Sequence, residues 1–198
     1  MALKRTLLAS ILLVASLASA QNPINVTSAN GVFTFTNVSK KTIILVAGHT
    51  SFSTPTLDEN GNETPMQLPG TLVHEYMFKK KGFPVGDSFD MDTKDDGKVY
   101  PYTANITFVQ FEDGSTWGDR NDSAAQIALQ MRNESLSFLS ILASATDEQS
   151  FSTILSQQTS DAARRFQQSR HGVGTTAAFA NAKDRWAAAV SRRSIWSF

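Results

Sequence analysis

The stretch GVFTFTNV, residues 31–38, alternates large apolar side chains with small polar ones. In an extended chain this places Phe33 and Phe35 on one face and Thr34 and Thr36 on the other, the pattern of a half-buried strand. Outward from it, residues 42–47 (TIILVA) form a short apolar run suited to a strand buried on both faces. Residues 71–78 alternate again, Leu72, His74, Tyr76 and Phe78 opposing Val73, Glu75 and Met77. Residues 104–111 set Ile106 and Phe108 on one side and Val109 and Phe111 on the other. Between these runs, Asn60-Gly61 and Asp113-Gly114 are tight-turn pairs, whose favoured hairpin turn has both central residues at positive φ. Short strands at this spacing, with no helical pattern between them, predict a β-sandwich over residues 21–119.

At Trp117-Gly118 the period changes. Ile127, Met131, Phe138 and Leu142 recur at helical spacing behind a cap at Asp122 or Ser123. Thr146 and Gln149 read as a capping box, with Phe151, Leu155, Ala162 and Phe166 on one continuing face. His171-Gly172-Val173-Gly174 breaks the run. A last helix from about Thr175 carries Phe179, Ala182, Trp186, Ala189 and Val190 on one stripe, with Arg192 and Arg193 at its carbonyl end. The predicted class is mainly β plus α: a β-sandwich of immunoglobulin-like size, then a helical C-terminal region of two to three helices over residues 120–198.

Residues 1–20 have their own pattern: Lys4 and Arg5, an apolar run from Leu7 to Ala15, then Ala18-Ser19-Ala20 before Gln21. Charged, apolar and small-residue parts in that order are a secretory signal peptide, cleaved near Ala20-Gln21. The apolar run falls short of the roughly 20 residues that span a bilayer, and no later stretch reaches that length. The expected location is periplasmic or extracellular, with no membrane span in the mature chain.

Composition narrows the chemistry. The chain has 198 residues, 41% hydrophobic with 13 Phe, which favours a packed core over disorder. It has no cysteine, so disulfides, thiolate catalysis and Cys-ligated zinc are all excluded. Eighteen basic residues balance eighteen acidic ones, which does not suit a nucleic-acid partner. Asn25, Asn37, Asn62, Asn105, Asn121 and Asn133 each open an Asn-x-Ser/Thr triplet, against about two expected by chance. We read that excess as a polar secreted surface, sugar attachment being the alternative.

No catalytic set assembles along the sequence. His74-Glu75 begins like a zinc-protease motif, but the second histidine position is Phe78. Asp92 opens a calcium-loop-like run with Asp95, Asp96 and Gly97, yet Lys94 occupies an acidic ligand position and Thr103 stands where a bidentate Glu belongs. Asp87 and Asp90 extend that acidic stretch. No Gly-x-Ser-x-Gly elbow occurs, and Gly48-His49-Thr50-Ser51 ends a strand. Lys79-Lys80-Lys81 reads as a charged strand end that keeps a sheet edge soluble. Neither a metal site nor a cofactor site is expected.

Two segments resemble known proteins. Residues 36–43 (TNVSKKTI), 57–61 (LDENG) and 83–86 (FPVG), before Ser88 and Phe89, resemble the small immunoglobulin-like modules of bacterial envelope proteins. In such modules a polar Asn-Ser-Lys corner precedes a buried strand; here Val85 separates the Pro and Gly that they join. Residues 105–119 (NITFVQFEDGSTWGD) are similar to a segment of uncharacterised secreted bacterial proteins. The resemblance implies a fold and a location outside the cytoplasm, and brings no catalytic residue.

The expected function is therefore an exported, non-enzymatic binding or structural protein whose partner is another envelope or extracellular protein. Trp186, Trp196 and Phe198 are the candidate interaction residues, because exposed aromatics mark contact surfaces. Two other classes compete. One is a hydrolase whose acids, among Asp87, Asp90, Asp92, Glu75 and His74, meet only in the fold. The other is a calcium-stabilised structural module.

Overall fold

A computed structural model describes residues 21–95, 98–99, 101–169 and 172–192. Residues 1–20, expected as a signal peptide, and His171, Asp96, Gly97, Arg193, Trp196 and Phe198 lie outside the described residues. Among the described residues, two larger antiparallel sheets, a two-stranded ladder and four helices build the fold. One sheet has the order β1-β2-β5, from Ile24–Ala29, Val32–Asn37 and Ser88–Asp92. The other has the order β4-β3-β8-β9, from Glu63–Glu75, Ile43–Leu57, Tyr102–Phe111 and Thr116–Gly118. Lys94–Asp95 (β6) and Lys98–Val99 (β7) form a two-stranded ladder. The helices follow: α1 Ser123–Ala143, α2 Glu148–Ser156, α3 Asp161–Ser169 and α4 Thr175–Ser191.

The layers follow from period two in the strands. Phe33 and Phe35 of β2 and Phe89 and Met91 of β5 face Ile43, Val46, Leu72 and Val109 of the larger sheet across one apolar core. On the outer side of β2, Thr34 donates to Asp90 and Thr36 is hydrogen-bonded to Ser88. The opposite face of the larger sheet carries Leu45, Ala47 and Phe108, which pack on Ala124, Ala125, Ala128 and Leu129 of α1. Alanines at the contact let the helix approach the sheet closely. A second apolar cluster unites Ile44, Met77 and Phe78 with Phe138, Phe151, Phe166 and Ala182 of the four helices. The order through the molecule is sheet, sheet, helices.

Local departures from the sequence reading have identifiable causes. Thr107 is an extra residue in β8, because Ala47 pairs with Phe108 and Gly48 with Ile106. A bulge turns the following side chains over, so Ile106 joins the inter-sheet core while Phe108 faces α1. Gly48 is needed there, since a Cβ would collide with the Asn105 carbonyl. Tyr76 and Met77 both donate their amides to the Ile44 carbonyl, ending β4 and sending Phe78 to the helix side, away from Leu72 and Tyr76. The two-residue hairpin turn is at Asn30-Gly31, with φ values of 52° and 76°. At Asn60-Gly61 and Asp113-Gly114 only the glycines have positive φ. Asp58 and Asp113 tie those longer loops by accepting backbone amides.

The described residues hold four helices where two to three were expected. Asp122 caps α1 as read, accepting from the amides of Ala124 and Ala125. The capping box of α2 is Asp147 with Ser150, one residue beyond the expected pair. The face from Phe151 to Phe166 is continuous in the core but belongs to two helices, parted at Gln157–Ser160, where the Ser160 hydroxyl accepts the Ala163 amide. Competing side-chain capping by that polar run halts the helix without a glycine or proline.

Arg192, 5% exposed at the end of α4, joins the layers. It donates to the carbonyls of Met77 at 3.2 Å, Lys80 at 3.1 Å and Ala188 at 3.1 Å, and to Glu112 Oε1 at 2.8 Å. Burial of a guanidinium is tolerated because every branch meets an oxygen. Arg192→Ala leaves those carbonyls unsatisfied and is expected to cost about 3–5 kcal/mol. Urea unfolding of the purified chain reads that loss, and a variant within about 0.5 kcal/mol of wild type would show that water replaces the clamp.

Candidate functional site

Glu75 is the last residue of β4 and shares the helix-facing side of the sheet with Val73. Its neighbours come from the helices. Ser135 of α1 approaches Glu75 Oε2 with its hydroxyl at 3.4 Å and lies 3.4 Å from Arg165 Nη2 of α3. Arg165 is also 3.6 Å from Glu134. Arg132, 1% exposed, donates to Gln110 Oε1 at 2.8 Å and to Asn133 Oδ1. Arg185 of α4 lies between two rings, 5.4 Å from the Phe78 centroid and 5.6 Å from that of Phe166. Stacking on the ring faces leaves the edge of a planar guanidinium, where its N–H groups point, open to an acceptor.

These groups border a cavity of about 510 Å³ walled by Glu75, Lys79, Phe78, Phe166, Val173 and Arg185, with Ala177, Ala178, Ser169 and Asn181 at α3 and α4. The volume falls in the range of small-molecule sites. Glu75 Oε1 is buried with no hydrogen-bond partner among the described residues. Burial pushes the Glu75 carboxyl above the usual range, and Arg165, Arg185, Ser135 and Arg132 pull it only part of the way back. A carboxyl in that condition takes up a proton more readily than an exposed one. The basic tip enters the site as well: Lys79, read from sequence as a solubilising charge, lies over the Tyr76 ring at 4.8 Å and lines the cavity.

His74, the neighbour of Glu75, points the other way. It stacks in the inter-sheet aromatic core, 4.1 Å from Phe89 and 5.9 Å from Tyr76. Burial there pulls its pKa down from 6.5 to about 4, with the Lys79 charge adding to the effect. The remaining acids stay apart from this cavity. Asp90 accepts from Thr34, and Asp92 accepts the Lys94 amide. Asp92 borders a separate hollow of about 490 Å³ with Phe52, Met91 and Tyr102. Among the described residues no three His, Asp or Glu side chains gather as metal ligands.

One constellation escaped the sequence reading. His49 Nε2 is 2.8 Å from Asp122 Oδ2, and the Thr107 hydroxyl donates to Asp122 Oδ1 at 2.8 Å. The hydroxyl is bonded to the carboxylate rather than the imidazole, so no nucleophile is activated; the group pins the start of α1 to β3 and β8. Hydrogen bonds from His49 and Thr107 hold the Asp122 carboxyl below its usual range. Of the candidate interaction residues, Trp186 is partly buried against the helical core.

His74 and Glu75 should respond oppositely to pH. An imidazole with a depressed folded pKa contributes stability that is fully present above about pH 6.5 and lost as pH falls toward 4, on the order of 3 kcal/mol. A carboxyl with a raised folded pKa contributes most below its unfolded value and loses that contribution as pH rises. Urea unfolding from pH 4 to 7 should therefore show a flatter acid-side fall for His74→Phe. Relative to wild type, Glu75→Gln should gain stability as pH increases. Parallel curves for all three proteins would contradict both assignments.

No protein-family model, curated protein or solved structure matches the chain, so the functional reading rests on the side chains around this cavity.

Proposed function

We propose that the protein is an exported, non-enzymatic binding protein that receives a small ligand in the cavity between the end of β4 and helices α3 and α4. The observation that carries this reading is the cavity itself, with an orphaned Glu75 oxygen beside it and the ring-flanked Arg185 in its wall. Preformed, mostly apolar hollows with a few convergent polar groups are the usual form of small-molecule sites. A hydrolase reading has less support, because Glu75 is the only one of its five proposed residues bordering this cavity.

Export is supported by the charged, apolar and small-residue order of residues 1–20. No helix among the described residues is long and apolar enough to cross a membrane. An immunoglobulin-like identity for the β half is supported by its two antiparallel sheets and by the Asn37 corner. Buried Asn37 donates to the carbonyls of Lys41 and Phe83 and accepts from Ser39, fixing the chain before the buried strand.

Two measurements test the reading. Mass spectrometry of the chain recovered outside the cytoplasm should find Gln21 at its start; a retained Met1 would remove the export claim. Ala177 lies at an exposed position on α4 and borders the cavity, so Ala177→Trp is expected to fill the site from its rim without disturbing the core. A small-molecule library that raises the wild-type melting temperature should lose its hits in Ala177→Trp. Hits that survive unchanged would place binding elsewhere, and a wild type with no hits would end the proposal.

A further inference from the structure

We infer that the ligand of this cavity is an amphipathic monocarboxylate, its carboxylate held by the Arg185 edge and its apolar chain laid against Phe78, Phe166 and Val173. The inference rests on the ligand-binding reading above and names the chemistry that the site selects.

Charge is the first ground. Lys79, Arg132, Arg165 and Arg185 surround the region, against the carboxylates of Glu75 and Glu134. Two of these cations are already engaged: Arg132 with Gln110 and Asn133, Arg165 with Ser135 and Glu134. Arg185 and Lys79 are the cations in the cavity wall, and both lie over aromatic faces. Ring stacking orients a guanidinium without using its N–H edge, and a carboxylate fits that edge with two parallel hydrogen bonds.

Glu75 is the second ground. An ionised Glu75 would favour a cationic ligand, but the charges of Arg165, Arg185 and Arg132 are set against it. Three guanidinium charges around one carboxylate leave the region net positive, which suits an anion. The third ground is the wall. Phe78, Phe166, Val173 and Ala178 supply apolar surface next to the charged end, so a ligand with a polar head and a hydrocarbon body meets complementary surface at both ends.

Three probes with one tail and different heads separate the possibilities: octanoate, octanol and octylammonium, titrated calorimetrically into the full chain at pH 7. The expected result is octanoate binding at least about tenfold tighter than octanol, with octylammonium weakest. That difference is about 1.4 kcal/mol. Arg185→Gln should lose the octanoate preference while keeping octanol binding, which also shows that the variant is folded. Arg185→Lys, which keeps the charge without the fork, should fall between. Equal octanoate and octanol binding, both blocked in Ala177→Trp, would overturn the anion assignment and leave the ligand-binding reading intact. Preference for octylammonium would make Glu75 the charged anchor and overturn it as well. If none of the three bound while library ligands still did, the inference alone would fail; silence from both would remove the two together.

Discussion

Everything in this molecule is built around five residues of β3. Ile43, Ile44, Leu45, Val46 and Ala47 are all 0% exposed, so this strand is covered on both faces and on both edges. A strand in that position has no solvent-facing side to take polar residues, which explains the unbroken apolar run. It also dictates the layers. One face needs the aromatic side chains of the smaller sheet, the other needs α1, and neither cover is optional. Burying such side chains contributes roughly 1.5–3 kcal/mol each, so exposing one face would forfeit several kcal/mol against a total stability of only about 5–15.

The sequence was legible where geometry repeats without interruption. Within residues 31–38, Val32–Asn37 form β2 with the expected faces, Asp122 caps α1, and the stripe on α4 runs through Ala182 and Ala189 into the helical core. It was illegible where one residue changes the phase. Thr107 turns Phe108 over, and the double acceptance at Ile44 redirects Phe78. Alternation in the letters cannot show such an insertion, because the information is in the partner strand. Gln157–Ser160 is similar: a polar run on a helical face looks like solvated surface until a hydroxyl turns inward to cap the next helix.

The cavity lay further out of reach. In the sequence Glu75 belongs to a motif that it fails to complete and to the five residues of the hydrolase alternative, and the basic tip reads as a solubilising charge. Their partners Arg132, Arg165 and Arg185 sit on three different helices, each at a position that reads as an ordinary surface charge. Nothing in the spacing of a β strand and three later helices predicts that their charges act on one carboxyl. The signal available was weaker: Arg132, three residues after Leu129 and four before Leu136, falls on the apolar stripe of α1, where a guanidinium has a high desolvation cost unless a partner waits across the core.

The Arg192 clamp has a consequence for the order of events in the cell. The carbonyls of Met77 and Lys80 receive their donor from a residue 115 and 112 positions later in the chain. Until that residue is available, the turn at the end of β4 cannot be completed in the native way, and the larger sheet lacks its helical cover. The β half is thus held back from finishing early while the nascent polypeptide is still emerging. Late closure of this kind ties completion of the larger sheet to the arrival of α4.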